Sequence, residues 1–315
     1  MPLLRLAPRL VALAAVLLIA TGCGGGKVRL RLNPEDGATY EITMTTTTTS
    51  TQTIMAIETQ STQEMRMVQE MAFSRLDDGA GFEVVVTYVS ASADMDITGN
   101  DTTIDLDAIM SSPMDAVLAG FEGASFTTTM SPAGKVTSVS GIDEMVARMF
   151  DAVDLPDTMQ STLQASMEQM FGDEAMQKMM GQAFMALPEG EVEVGDSWEA
   201  TMSVMGMRLS STFTLAALDG DIATITTLST LAKDADYAPG PDVIGVVYEE
   251  LDGKQVGSHR LDTKTGLMID ADLTQEMTAT VRASMPGLSD ELAAAMPVIP
   301  MTATTTIRVE SRRLE

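Results

Sequence analysis

One cysteine, one histidine and one tryptophan among 315 residues leave few ways to build a reactive centre. A lone cysteine cannot form an intrachain disulfide, and a lone histidine rules out a histidine-rich metal site. Aromatic residues make up only 4% of the chain, so its cohesion must come from aliphatic and methionine packing. The same scarcity removes the aromatic platforms a glycosidase uses to hold sugars, although carboxylates abound. Cations are short as well, with 19 Lys and Arg against 45 Asp and Glu for a net charge of −26. So acidic a chain is repelled by nucleic acid, which is not expected among its partners.

The single cysteine stands in a telling place. Arg5 and Arg9 precede an apolar run from Leu10 to Ala20, and Ile19-Ala20-Thr21-Gly22-Cys23 follows with small residues ahead of the thiol. A charged n-region, an apolar h-region and a small-residue cleavage site make an export signal. The arrangement resembles a bacterial lipoprotein lipobox, in which the cysteine becomes the first mature residue and carries the lipid, with palmitate a usual acyl group. Ala20 departs from the commoner leucine at the first lipobox position. The run is shorter than the roughly 20 apolar residues of a spanning helix, which disfavours a transmembrane anchor. An ordinary cleaved signal is the remaining alternative, but it would leave Cys23 as an unpaired thiol in an oxidising compartment.

On the lipobox reading, residues 1–22 are the signal peptide and Cys23 is the site of lipid attachment. The partner is then a membrane, and the protein is a lipid-anchored component of the cell envelope. Gly24 in place of aspartate favours the periplasmic side of the outer membrane over the inner membrane, by analogy with enterobacterial sorting. The mature chain keeps 17 basic against 45 acidic side chains, a net charge of −28. Residues 23–37 form a tether and first strand. Lys27, Arg29 and Arg31 alternate there with Val28, Leu30 and Leu32, the period of a strand with one basic and one apolar face. The basic face could touch headgroups or pair with the acidic body, and the second is the more ordinary use of charge near a sheet edge.

Residues 38–315 read as a single β-rich domain. Thr39–Met55 is crowded with β-branched threonine, and Phe82–Val89 is a buried-looking strand. Phe126–Met130 and Lys135–Val139 flank Ser131-Pro132-Ala133-Gly134, which suits a type I turn and predicts a hairpin. Strands are predicted again over Glu199–Val204, Ser211–Ala217, Ile222–Leu231, Gln255–Leu261, Gly266–Leu273 and Thr302–Val309. A short helix is expected from Ser289 to Pro297.

Between these stretches, residues 141–187 change period. Met145, Met149 and Val153 share a face, as do Met159, Leu163, Met167 and Met170, and then Met176, Met180, Phe184 and Leu187. Asp157 and Asp173 stand where N-caps belong and Pro188 ends the last segment. Two or three amphipathic helices are therefore expected as an insertion. The fold class predicted is α+β, mainly antiparallel β: a curved open sheet or half-barrel with an inserted helical segment.

Other chemistry is weaker. Ser258 and His259 cannot act as nucleophile and base, because adjacent strand residues point to opposite faces. Asp94–Asp105 has the oxygen-bearing positions and the glycine of an EF-hand loop, yet Asp101 fills a normally apolar position and the preceding residues read as strand. Met202, Met205 and Met207, or Met176, Met179 and Met180, could offer thioethers to Cu(I), but packing explains methionines on an apolar stripe more simply. No metal site, no cofactor and no catalytic residue is predicted.

Five stretches carry a resemblance. After the lipobox come Gly37-Ala38-Thr39-Tyr40-Glu41-Ile42, Ser131-Pro132-Ala133-Gly134-Lys135-Val136, Leu187-Pro188, Val194-Gly195-Asp196-Ser197-Trp198 and Leu261-Asp262-Thr263-Lys264-Thr265-Gly266. In this order they resemble a group of uncharacterised bacterial lipoproteins known only as a domain of unknown function, and the likeness spans nearly the whole mature chain. It implies no activity and no catalytic residues. The expected architecture is similar to the curved sheet with covering helices of periplasmic lipoprotein carriers and mycobacterial lipid-binding lipoproteins, an analogy of fold alone.

Two functions are consistent with these features. One is a non-catalytic module binding an apolar ligand such as a lipid, with Met145, Met149, Met167, Met170, Met176 and Met180 facing the ligand, since methionine surfaces repack around varied partners. The other is an interaction lipoprotein that docks on an envelope protein without a ligand cavity.

Overall fold

The computed structural model describes residues 26–54, 57–77, 79–99, 120–151, 172–173, 187–204, 206–237, 245–284 and 296–315. In chain order the elements are β1 (Thr39–Ile54), β2 (Ile57–Arg75), β3 (Phe82–Gly99), β4 (Ser125–Met130), β5 (Val136–Ser140), α1 (Ile142–Asp151), β6 (Ser197–Val204), β7 (Met207–Asp219), β8 (Ile222–Lys233), β9 (Gly245–Asp262), β10 (Met268–Ser284) and β11 (Val298–Arg313). The strands form one sheet in the order β5-β4-β3-β2-β1-β11-β10-β9-β8-β7-β6. Its ladders are antiparallel, so the chain is two meanders, β1 to β5 and β6 to β11, joined where the first strand pairs with the last.

The turns follow their residues. Gly134 N–H donates to the Ser131 carbonyl, closing the turn that Pro132 starts between β4 and β5. Period-two burial is clearest in β8, where Ala223, Ile225, Thr227, Ser229 and Leu231 are buried and the residues between them are exposed or half-buried. The opposite face of the sheet carries cross-strand ion pairs directly in register: Glu41 with Arg312, Asp272 with Arg308, Asp270 with Arg260 and Glu276 with Lys254. Such exposed pairs add little stability each, but they keep this outer face in water.

The sheet is strongly curled, and the segment before β1 shows by how much. Val28 exchanges both backbone hydrogen bonds with Val192, just ahead of β6, at 2.8 and 2.9 Å. Four residues later, Leu32 N–H donates to the Pro132 carbonyl in the β4–β5 turn at 2.7 Å. Four extended residues reach at most about 14 Å. In a flat sheet β4 and β6 would lie nine strand spacings apart, about 43 Å. The two ends of the sheet have therefore been rolled toward each other, and residues 28–33 strap them together.

Rolling places the core inside. One cluster gathers Tyr40, Met71, Phe73, Phe82, Val84 and Phe126 around the first meander, with aromatic edge-to-face contacts from Tyr40 to Phe73 and from Phe73 to Phe82. A second joins Phe213, Leu215, Ala223, Ile225 and Leu261 in the second meander, where Trp198 stacks on Phe213. A third, at the far end of the long strands, contains Leu251, Ala279 and Val281.

The expected α+β class is not what is found: the fold is antiparallel β throughout, a single eleven-stranded sheet with one short named helix among the described residues. A helix does form over 142–151, and its first amide, Ile142 N–H, donates to Asp173 outside α1, a long-range contact and not the local N-cap expected of that aspartate. However, α1 adds only Ile142, Met145 and Val146 to a core that the curled sheet builds on itself, so among the described residues the core is made by the sheet and not by a helical layer. The rest of the expected insertion, like the expected helix at 289–297, lies outside the described residues. Strand β2 is an addition that the sequence reading missed. Residues 27–33 are extended with alternating burial, yet only Val28 makes a bridge, so they form a strap and not a strand of the sheet.

Candidate ligand-binding site

Under the strap lies a cavity of about 280 Å³, open on one side. Its floor is the inner face of four adjacent strands. Tyr40, Ile42 and Met44 come from β1, Gln69, Met71 and Phe73 from β2, Val309 and Ser311 from β11, and Met268 from β10. The alternation of these residues along each strand, in register across strands, is what brings them together. Leu32 of the strap, Leu187, Gly134 and the Gly266–Leu267 turn form the rim.

The rim is closely fitted. Asn33 N–H donates to the Thr265 carbonyl at 2.7 Å, and a Cβ placed on Gly266 would sit 2.0 Å from the Arg31 carbonyl oxygen. With a φ of +69° as well, Gly266 meets both conditions that demand glycine. Leu30, Leu32 and Pro34 are buried while Lys27, Arg29, Arg31 and Asn33 face out. Of these cations, Arg29 approaches Glu191 at 3.9 Å with both side chains more than half exposed, an interaction of little strength. The turns singled out in the sequence thus meet at one end of the sheet: the β4–β5 turn and the 262–266 turn hold the strap, Leu187 and Tyr40 line the cavity, and Gly195 N–H bonds the Leu215 carbonyl beside Trp198.

The polar side chains in the cavity are few: Tyr40, Gln69 and Ser311. The Ser311 hydroxyl donates to the Met268 carbonyl, and burial pushes the Tyr40 phenol above its ordinary pKa despite the nearby Arg313 guanidinium. In the same lateral row, Met44 pairs with Val309, Val309 with Ala271 and Ala271 with His259. His259 is 7% exposed; its Nε2 lies 2.8 Å from Thr227 Oγ1, and its Nδ1 has no hydrogen-bond partner among the described residues. Burial holds this imidazole below its ordinary pKa. Ser258 is on the opposite face of β9, as the strand period requires.

The residues singled out from the sequence are distributed differently. Met145 is buried against the first cluster and is not among the residues that line the cavity. Met149 lies on α1. Met167, Met170, Met176, Met180 and Cys23 lie outside the described residues. The methionines at the cavity are Met44, Met71, Met130 and Met268, all on strands. Their signal was the period of two in Tyr40-Ile42-Met44 and Met71-Phe73, which is weaker in the sequence than the threonine runs and the methionines spaced three and four apart. Asp94 and Asp96 stand in β3 opposite Glu64 and Thr62, in extended ladder and not in the coiled backbone of an EF-hand loop. Among the described residues no group of three or more His, Cys, Asp or Glu is placed to hold a metal.

Residues 80–268 match a family of unknown function (DUF6263), which is more than half of the chain. The chain belongs to that family. The matched stretch carries β3 to β9 with the 262–266 turn, whereas β1, β2 and β11, which floor the cavity, lie outside it. No curated protein matches the chain. Among solved structures, the translocator domain of autotransporter NalP from Neisseria meningitidis is similar at 8% identity and a TM-score of 0.21, over 89% of this chain and 90% of that one. An outer membrane channel from Pseudomonas putida F1 gives 8% identity and a TM-score of 0.25 over 89% and 97%, and Pseudomonas aeruginosa OccK7 gives 7% and 0.21 over 89% and 100%. At such TM-scores the likeness establishes neither a shared fold nor a shared function. A lipid-facing barrel needs an apolar outer band, and here the outer face carries the ion pairs described above.

Proposed function

We propose that this protein is a lipid-anchored envelope protein that binds an apolar ligand, an acyl chain in the first instance, without catalysing its conversion. The observation that carries the reading is the open apolar cavity on the inner face of the curled sheet, floored by Tyr40, Ile42, Met44, Met71, Phe73 and Val309. Its volume falls just under the usual range of about 300–1,000 Å³ for small-molecule sites, which suits one slim chain better than a bulky ring system. Four strand methionines make the wall adaptable, since an unbranched thioether side chain reshapes at little cost.

The position of the cavity supports the same reading. Val28 lies five residue steps after Cys23, so at most about 18 Å of chain lies between the proposed anchor and the strap over the cavity. A lipid leaving the membrane would reach the opening without crossing much water.

The test is to purify the mature chain under mild conditions, extract it and identify co-purifying lipids by mass spectrometry. A fluorescent apolar probe should then bind saturably, an acyl ligand should compete it away, and the ligand should raise the melting temperature, as linkage requires of anything that binds the folded state alone. Dye binding without competition would indicate loose packing instead. If fatty acids, phospholipids and isoprenoids all fail to compete or to stabilise, the docking function takes the place of the binding one.

A further inference from the structure

The register sorts charge with unusual strictness. Along β1 to β11, no Asp, Glu, Lys or Arg occupies an inner-face position away from a strand end; Arg75, Lys233 and Arg313 sit at such ends, and the other strand charges belong to the outer face. Yet the inner face is not uniformly apolar. Ser211, Ser229, Gln255, Gln275, Thr305 and Thr48 stand opposite one another in succession across β7, β8, β9, β10, β11 and β1, and Gln63 of β2 continues the row. Ser229 is 1% exposed and Gln255 8%. Two pairs in the row bond each other, Ser211 with Ser229 at 2.8 Å and Thr48 with Thr305 at 3.1 Å, whereas none of the three glutamine amides makes such a bond among the described residues.

This belt divides two apolar zones. Val309 in the cavity floor lies four residues from Thr305, about 13 Å along the strand, and Met301, packed on the third cluster, lies four residues beyond on the other side. Along β9 to β11 the inner face therefore reads apolar, then polar and uncharged, then apolar, whereas on β1 and β2 it stays polar beyond the belt through Ser50, Gln52, Ser61 and Thr59. Hydroxyls and carboxamides both donate and accept, so they match ester, amide or hydroxyl groups. They do not match a carboxylate or phosphate, which would enter without a cation and lose its hydration.

We propose that the ligand is an uncharged lipid whose hydroxyl, ester or amide linkage rests against the Gln255–Gln275 belt while its hydrocarbon runs into the cavity beneath the strap. This rests on the ligand-binding reading above and narrows it to a class. Within that class, Gln255 and Gln275 set the preference for the polar linkage, and the cavity supplies affinity for the chain.

The experiment uses the mature chain freed of lipid, with a neutral fluorescent probe displaced at pH 8 by a monoacylglycerol, the fatty acid and the lysophosphatidylglycerol of one chain length. The monoacylglycerol should displace the probe at a concentration at least about tenfold lower than either anion, because an unpaired buried charge is the costlier group to accommodate. Gln255→Leu and Gln275→Leu, which keep the volume, should erase most of the monoacylglycerol's further advantage over an added alkane of the same chain length, which lacks the polar linkage, while probe binding persists. Thr305→Val, the gentlest change in the belt, serves if the leucine variants do not fold. Equal or better displacement by the anions, or a monoacylglycerol advantage untouched in the folded variants, overturns this inference and leaves the ligand-binding reading standing. Displacement by none of the three sinks the binding reading itself.

Discussion

Leu30 and Leu32 are two residues apart on one extended segment, yet they belong to different hydrophobic clusters. Leu30 is 1% exposed among the side chains of the second meander, and Leu32 is 5% exposed among those of the first. Consecutive same-side residues of a strap can touch both halves only because the sheet has rolled its ends together. Leu30→Ala should therefore cost about 2–5 kcal/mol, the range for a buried leucine whose surroundings cannot fully collapse. Denaturant unfolding would register this as a lower midpoint at unchanged slope. A loss below about 0.5 kcal/mol would mean that the strap is an appendage.

Gly266 tests the same strap from the other side. Gly266→Ala forces a methyl group against the Arg31 backbone and strains a positive φ, so the strap should lift from the turn. Trypsin has cleavage sites at Lys27, Arg29 and Arg31 on the exposed side of this segment. Their cleavage should quicken several-fold in the variant while cuts elsewhere hold their rate, because proteolysis of a locally opened segment follows its open population. A uniform rise across the protein would report global destabilisation instead.

Much of this arrangement was legible in the residues. The threonine-rich β1, the Pro132–Gly134 turn and the 262–266 turn follow from local preferences that packing did not override. The length of the strands was not legible: β9 begins ten residues before Gln255, over a stretch broken by glycine and acids whose pairing depends on β10. The cavity was missed for a related reason. Its walls come from β1, β2, β10 and β11, and a contact between β1 and β11 spans almost the entire chain, so no local pattern announces it. Methionines spaced three and four apart are conspicuous in the sequence, whereas Met44 and Met71 become partners of one site only once the register is known.

His259, the one imidazole, allows a clean titration. Burial lowers its pKa in the folded protein, so between that lowered value and the ordinary value of about 6.5 the unfolded chain binds more protons than the folded one. Stability is then flat above this window, falls as pH is lowered through it, and levels off below. The histidine ring resonances should remain those of the neutral form when free histidine is already half protonated. A midpoint at or above 6.5 would contradict the burial seen here. His259→Gln should remove this part of the pH dependence and leave the acid limb due to Glu41 and Asp270, whose carboxyls Arg312 and Arg260 hold below the ordinary range through direct hydrogen bonds.

Anchoring is tested at Cys23. Cys23→Ser removes the only thiol to which lipid can be attached, so the variant should leave the membrane fraction after a high-salt wash and lose metabolic labelling with fatty acid. Salt matters because the exposed Lys27, Arg29 and Arg31 could hold some protein on anionic headgroups at low ionic strength. Retention after the wash would mean that something other than a lipid on Cys23 supplies the attachment.

Filling the cavity separates binding from folding. Val309→Phe adds volume to the floor midway between Met44 and Ala271, where open space is available and overpacking is avoided. A core position would answer such a change with about 1–3 kcal/mol of destabilisation. Here the added ring gains apolar contacts that the open cavity withholds, so the melting temperature should hold or rise. Affinity for an acyl ligand should nevertheless drop at least about tenfold, since losing a few methylenes of burial at about 0.8 kcal/mol each is enough to do so. Opposite movement of stability and affinity is the signature of a site kept open for a ligand. Were Val309→Phe to weaken folding and leave binding intact, the space beneath the strap would be a packing imperfection and the ligand would have to sit elsewhere on the inner face.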